Sequence, residues 1–267
     1  MSMRINHNVT AVNTHRQLNQ TDNAIQKSME RLSSGYRINS AADDAAGLGI
    51  SEKMRGQISG LAQAGRNMQD AVSLVQTAEA NLDEVHSMLQ RMRELAVQYK
   101  NGTNAAANQS AIQSELYQLV SEIDRIGSQT KFNGITLMNG SGTVTFQVGA
   151  NDGEIITVAL ITLMGSLPTQ FWNLGSASAI SNIDAAIDDI SAVRSAYGAV
   201  QNRLEHSINA NEAYHENLVA AESRIRDVDM AEEMTEYTKN QVLEQAGTAM
   251  LAQANQSTQS VLSLLQQ

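Results

Sequence analysis

The chain has no cysteine, a single proline (Pro168), and only 4% aromatic residues in a length of 267. Each shortage closes off a class of protein. Without cysteine there is neither a disulfide framework nor a thiolate metal site. With one proline almost nothing interrupts a helix, and so few aromatic side chains suit long helices better than a globule. No segment approaches the roughly 18 uninterrupted apolar residues of a membrane-spanning helix, so membrane insertion is not expected. The amino-terminal MSMRINHNVT lacks the apolar core of a cleavable secretory signal. A net charge of −10 argues against nucleic acid as a partner, because neutralising phosphates takes clustered lysine and arginine. The histidines His7, His15, His86, His206 and His215 form neither an HExxH motif nor a pair at metal-ligand spacing. Gly47 and Gly49 lack the preceding strand and third glycine of a dinucleotide loop. No metal, cofactor or enzymatic activity is expected.

What the chain does contain is helical periodicity. From Ala45 to Tyr99 an apolar stripe steps by fours and threes through Met54, Ile58, Leu61, Gly65, Met68, Val72, Val75, Ala78, Leu82, Val85, Leu89, Met92 and Ala96. This is coiled-coil spacing, with one stammer at Val72, Val75 and Ala78. A helix of that length measures roughly 80 Å at about 1.5 Å per residue, so its stripe needs partners. A turn at Asn101 and Gly102 leads to a third helix, about 105 to 126, with Ile112, Leu116, Leu119, Ile123 and Ile126 on one face. The short connection places it antiparallel to the first. A second long helix runs from Ile180 to about Val228, its stripe passing through Ile183, Ile190, Tyr197, Leu204, Tyr214 and Ile225. Glu222 and Arg226 on its outer face stand at i,i+4 spacing. Gly56, Gly60 and Gly65 would each cost about 1 kcal/mol against alanine in a helix, which marks them as sites of close approach.

Between the helices, from Gly134 to about 163, the period changes to two. Thr143 to Val148 alternates, Asp152 and Gly153 supply a turn, and Ile155 to Leu160 is β-branched and apolar, which together read as a β-hairpin. The following segment holds Pro168, Phe171 and Trp172, and the aromatic pair reads as packing against the hairpin rather than as a partner contact.

The two ends are thinner. Ile5, Val9, Val12, Leu18, Ile25, Met29 and Leu32 form an apolar stripe at the amino end, and Leu243, Met250, Ala254, Val261 and Leu264 form one at the carboxyl end. From Asn240 onward the only charged side chain is Glu244. Helices so poor in charge and apolar area are marginal alone and suit burial in an assembly, with disorder until neighbours cover them. The connector Arg31 to Gly47 breaks the first helix at Ser33 to Gly35. It restarts with Ser40 and Asp43 at capping-box spacing, and Asp43 and Asp44 lie where a helix dipole favours negative charge. The expected fold is mainly α: a long antiparallel coiled-coil rod with a small β-hairpin region and paired terminal helices. Residues 1–44 and 226–267 form the arms, and 45–225 the rod with its hairpin at about 134–163.

Six segments in order carry a family resemblance: RLSSGYRINSAADDAAGLGISEKM (Arg31 to Met54), LQRMRELAVQ (Leu89 to Gln98), SQTKFNG (Ser128 to Gly134), QNRLEHSI (Gln201 to Ile208), ESRIRDVDMAEEM (Glu222 to Met234) and QAGTAMLAQANQ (Gln245 to Gln256). Together they resemble bacterial flagellin across nearly the whole chain. The resemblance implies a subunit of the extracellular flagellar filament used for motility, with its arms pairing in the filament core and the middle helices in an outer tube. It implies a short form without a large variable outer domain. It further implies export unfolded through the flagellar type III channel, a flagellar chaperone on the carboxyl-terminal arm, and filament cap and junction proteins as partners besides the chain itself. Members sensed by the mammalian flagellin-specific Toll-like receptor are contacted at positions matching Gln90, Arg91, Glu94, Leu95 and Glu115, with Arg91 a hot-spot side chain and Leu95 an apolar anchor. A hook-filament junction protein, or another axial protein that does not extend into a filament, is the alternative these residues leave open.

Overall fold

The computed structural model describes residues 8–140, 142–161, 174–175 and 178–265, with side chains to 257. Ile5, the Pro168, Phe171 and Trp172 segment, and the side chains of Val261 and Leu264 lie outside the described residues. The elements are helices α1 (Val9–Ser34), α2 (Ala45–Tyr99) and α3 (Ala106–Gln129), strands β1 (Lys131–Phe132), β2 (Ile135–Thr136), β3 (Thr143–Gln147) and β4 (Ile155–Ala159), and helices α4 (Ala179–Arg226) and α5 (Met230–Leu265). The fold is mainly α, as the periodicity predicts. Two compact units divide it inside the long helices, one holding the described residues up to Gly56 and from Leu218, the other Gln57–Asn217.

In the central unit, α2, α3 and α4 enclose one apolar core. Met68, Leu82, Leu89 and Met92 from α2 meet Leu116 and Ile123 from α3 and Ile183 and Leu204 from α4, all buried. Charged pairs fix the register: Arg93 to Asp184 at 2.7 Å and Arg194 to Asp83 at 3.0 Å run α2 and α4 antiparallel. The buried face of α2 is wider than the expected seam. Ala64, Ala71, Leu74 and Leu95 join it, while Val72 is only partly buried, because a helix covered by several neighbours buries positions flanking a two-stranded stripe. On α4 the stripe lapses at Tyr214, which is exposed. Gly60 does mark a close approach, since a Cβ there would stand 3.0 Å from the Cβ of Ala150. A Cβ on Gly65 would reach Asn211 Nδ2 at 3.4 Å, whereas Gly56 has open space around it and no contact within the chain requires it.

The expected hairpin forms, with β3 and β4 antiparallel and Phe146 opposite Ile156. Ile156 and Val158 point into the core while Ile155, Thr157 and Ala159 alternate outward. A smaller hairpin, β1 with β2, precedes it, turning through Asn133 (φ 46°) and Gly134 (φ 84°). Both residues have positive φ, the requirement of a type I′ turn that Asn-Gly meets at low steric cost. Tyr197 on α4 reaches the sheet, its hydroxyl donating to the Ala159 carbonyl at 3.0 Å. Burial raises the pKa of that phenol, which keeps it the neutral donor.

In the terminal unit the two connectors cross. Asn8 caps α1 through its side chain, which accepts from the Ala11 N–H, and Gly35 ends the helix in the left-handed conformation (φ 74°). The Arg37 N–H then donates to the Arg226 carbonyl at 2.7 Å, and the Val228 N–H to the Gly35 carbonyl at 3.1 Å. The Arg226 guanidinium lies 4.8 Å from the centre of the Tyr36 ring and 2.9 Å from Glu52. This corrects the expected Glu222 and Arg226 pair: the start of α2 offers Arg226 a carboxylate, and Glu222 instead accepts from the fully buried Ser51 hydroxyl. The capping reading shifts as well. Asp44, just before α2, accepts the Gly47 N–H at 2.9 Å, while Ser40 and Asp43 bond to each other in the turn preceding it.

Two consequences are measurable. Tyr197→Phe leaves the Ala159 carbonyl without its partner and should cost about 1 kcal/mol, seen as a lower denaturant midpoint with an unchanged m value. Asp43 salt-bridges Lys27 at 2.7 Å, and that contact, with the Ser40 bonds, holds its carboxyl well below the ordinary carboxylate range. A depressed carboxylate contributes stability that is present above the unfolded pKa of 3.8 and is lost as pH falls through the folded value. Thermal melts of wild type and Asp43→Asn should therefore differ by a constant amount between neutral and mildly acidic pH, draw together as pH falls below that unfolded value, and coincide only below the folded one. A gap that persists in strong acid would remove the ion pair as its cause.

Candidate assembly surface

The terminal helices α1 and α5 pack antiparallel. Asn8 Nδ2 donates to the Ala254 carbonyl at 3.0 Å near one end, and Arg31 meets the buried Glu233 at 3.3 Å near the other. Between them Leu18 fits against Gly247, where a Cβ would stand 3.3 Å from Leu18 Cδ1. On α1 shielded positions recur by threes and fours as Ala11, Thr14, Leu18, Thr21, Ile25, Ser28 and Leu32; on α5 they include Glu233, Tyr237, Asn240, Glu244, Gly247, Leu251 and Ala254. Heptad spacing is thus real, but nine of these fourteen seam positions are polar or small. A full Leu or Ile burial contributes roughly 1.5–3 kcal/mol, and few such side chains lie in this seam.

The remaining apolar side chains of the arms face outward. Leu18, Ile25, Leu32 and Ala254 lie inside the pair. Val9, Val12, Met29, Leu243 and Met250 do not: Val12 is 67% exposed and Met250 60%, and Val242, absent from the expected stripe, is 64% exposed. The contact with α1 falls on the phase of Gly247 and Ala254, which leaves Leu243 and Met250 on the outer side of α5. Clustered exposed apolar side chains on a charge-poor helix mark a surface that further chains cover.

A second surface lies in the central unit, where α3 returns beside α2. Arg91 donates through Nε and Nη2 to Glu115 Oε1 at 2.9 and 2.8 Å, and through Nη1 to Glu94 Oε2 at 3.0 Å. Glu115 first, then Glu94, raises the Arg91 pKa further. Gln90 contacts His86 Nε2 at 2.9 Å. Gln90, Arg91, Glu94 and Glu115 are all exposed and adjacent. Leu95 is not among them: at 1% exposure it belongs to the core, so its side chain supports the patch from beneath and is no anchor for a partner.

Among the described residues no group of histidine, aspartate or glutamate side chains is placed to hold a metal ion, and no helix is long and apolar enough to cross a membrane. What the geometry offers is surface for association. Comparison with known proteins agrees. A family model described as the bacterial flagellin N-terminal helical region matches residues 5–143, and one described as the bacterial flagellin C-terminal helical region matches residues 180–265. The chain is 54% identical to the flagellin of Halalkalibacterium halodurans and 47% identical to that of Bacillus subtilis, in each case over 98% of this chain and 100% of the relative. It is 49% identical to the flagellar filament 33 kDa core protein of Treponema phagedenis over the same shares. With both helical regions matched and relatives aligned along their whole length, the chain belongs to the bacterial flagellin family, whose members are structural subunits of the filament and not enzymes.

Proposed function

We propose that this filament subunit polymerises by using its own packing only to align the two arms, and that neighbouring subunits supply most of the apolar burial that stabilises them. The observation that carries this is the inverted sorting on α1 and α5, with Thr21, Ser28 and Glu233 shielded in the seam while Val9, Val12, Val242 and Met250 face outward. Ordering a residue costs on the order of 1–2 kcal/mol of backbone entropy, and a half-polar seam offsets little of that in an isolated chain. Folding of the arms is therefore coupled to assembly, and the free subunit presents them in a state that export machinery can thread.

The family resemblance extends the reading to partners. The same apolar carboxyl-terminal arm is a surface for a flagellar export chaperone before assembly, and cap and junction proteins meet it at the filament ends. Transport runs through the flagellar type III channel to the extracellular filament. The Gln90, Arg91, Glu94 and Glu115 patch is the surface for the mammalian flagellin-sensing Toll-like receptor. It is supported by one exposed arginine at the meeting of two helices, with two carboxylates holding its fork in place.

Removing Leu243–Gln267 deletes the outward-facing Leu243 and Met250 of α5 together with Gly247 and Ala254. The truncated chain should remain soluble and largely helical by circular dichroism and form no filaments by negative-stain microscopy; normal filaments from it would overturn the role given to the arm. For the patch, Arg91→Ala should weaken binding of the subunit to the receptor ectodomain by about tenfold or more, the loss typical of an interface hot spot. Leu95→Ala tests a different property, since truncating a core leucine costs roughly 2–5 kcal/mol of fold stability.

A further inference from the structure

The chain has twelve methionines and no cysteine, so thioethers are its only oxidisable sulfur. The structure sorts them. In the central unit Met68, Met92 and Met138 are fully buried. In the terminal unit Met29, Met230, Met234 and Met250 are 50%, 49%, 46% and 60% exposed. All four sit on α1 or α5, the helices whose outward apolar side chains form the assembly surface. Leucine would supply similar apolar area, and methionine differs from it by carrying a sulfur that an oxidant can reach.

We infer that Met29, Met230, Met234 and Met250 form a modification site for hydroperoxide-class oxidants, at which oxidation of the unassembled subunit blocks its polymerisation and assembly in turn protects the sulfurs. In the step a sulfur lone pair attacks the terminal peroxide oxygen and forms an S–O bond as the O–O bond breaks. The thioether is oxidised by two electrons to the sulfoxide, and the peroxide is reduced to water or an alcohol. The product is polar and chiral where the surface must be dry. No backbone contact depends on these four side chains, so the chain keeps its fold and loses its fit to neighbours. Met68, Met92 and Met138 lack solvent access and are spared. Because a sulfoxide can be reduced enzymatically, the block is reversible.

The inference rests on the reading of the terminal unit as the assembly surface, and the experiment separates the two. Full-length subunits and preformed filaments are exposed to dilute hydrogen peroxide, and sulfoxides are mapped by peptide mass spectrometry. Treated and untreated subunits are then compared for assembly. The expected result is oxidation of Met29, Met230, Met234 and Met250 in subunits, with Met68, Met92 and Met138 spared and all protected in filaments. Treated subunits should need about tenfold or more higher concentration to polymerise, as the loss of even one methionine burial implies. Incubation with a methionine sulfoxide reductase should restore assembly. If treated subunits carry the four sulfoxides yet polymerise normally, the inference fails while the assembly surface stands. If the four oxidise as fast in filaments as in subunits, the surface is not buried on assembly and both fail. A chain with Met29, Met230, Met234 and Met250 each changed to Leu gives a second reading: peroxide-resistant assembly supports the inference, and assembly still lost on treatment contradicts it.

Discussion

The antiparallel contact between α1 and α5 is the constraint on which the rest depends. It is made of small and polar side chains, such as Gly247 against Leu18, buried Thr21 and Ser28, and the Arg31 and Glu233 pair. Polar groups at such positions fix register at some cost in stability. A seam of this composition aligns two helices without satisfying them. Their larger apolar side chains remain for other chains, and an incomplete subunit becomes a component of a polymer.

The terminal and central units illustrate two ways to treat the same heptad spacing. In the central unit α2 is covered by α3, α4 and the β segments, and its stripe from Met68 to Ala96 is buried except at the half-buried Val72, with flanking leucines added. Stability there is internal. In the terminal unit the crossing of the connectors fixes where the arms leave, with Arg226 bound to Glu52, resting on Tyr36 and offering its carbonyl to Arg37. The polar contacts cluster at this crossing, and most of the exposed apolar area lies beyond it.

Long elements were legible in the sequence because helical periodicity repeats over many turns: α2 begins at Ala45 and ends at Tyr99 as the stripe predicts, and β3 and β4 fall within the alternating runs. Contact-level detail was less so. Hydrophobicity marks Leu243 and Met250 as arm residues but does not say which side of α5 meets α1, because that packing phase is set by where small residues such as Gly247 allow close approach. Leu95 enters the receptor patch only through the family resemblance, and a single stripe does not reveal that a third and fourth neighbour widen the buried face of α2 to include it. The β1 and β2 hairpin was missed although Asn133 and Gly134 announce its turn, since strands of two residues carry too little alternation to register. Arg226 pairs with Glu52, far away in sequence, instead of with Glu222 one helical turn away, which no local spacing rule anticipates.

The central claim is that the arms gain their stability from neighbouring subunits while the central unit holds its own. Hydrogen exchange on the full-length chain, followed by mass spectrometry before and after polymerisation, tests it most directly. The account predicts that amides of α1 and α5 exchange rapidly in the free subunit and become strongly protected in the filament, while those of α2 and α3 around Leu82 to Ile123 are protected in both. Equal protection of α1 and α5 in the free and assembled states would contradict it.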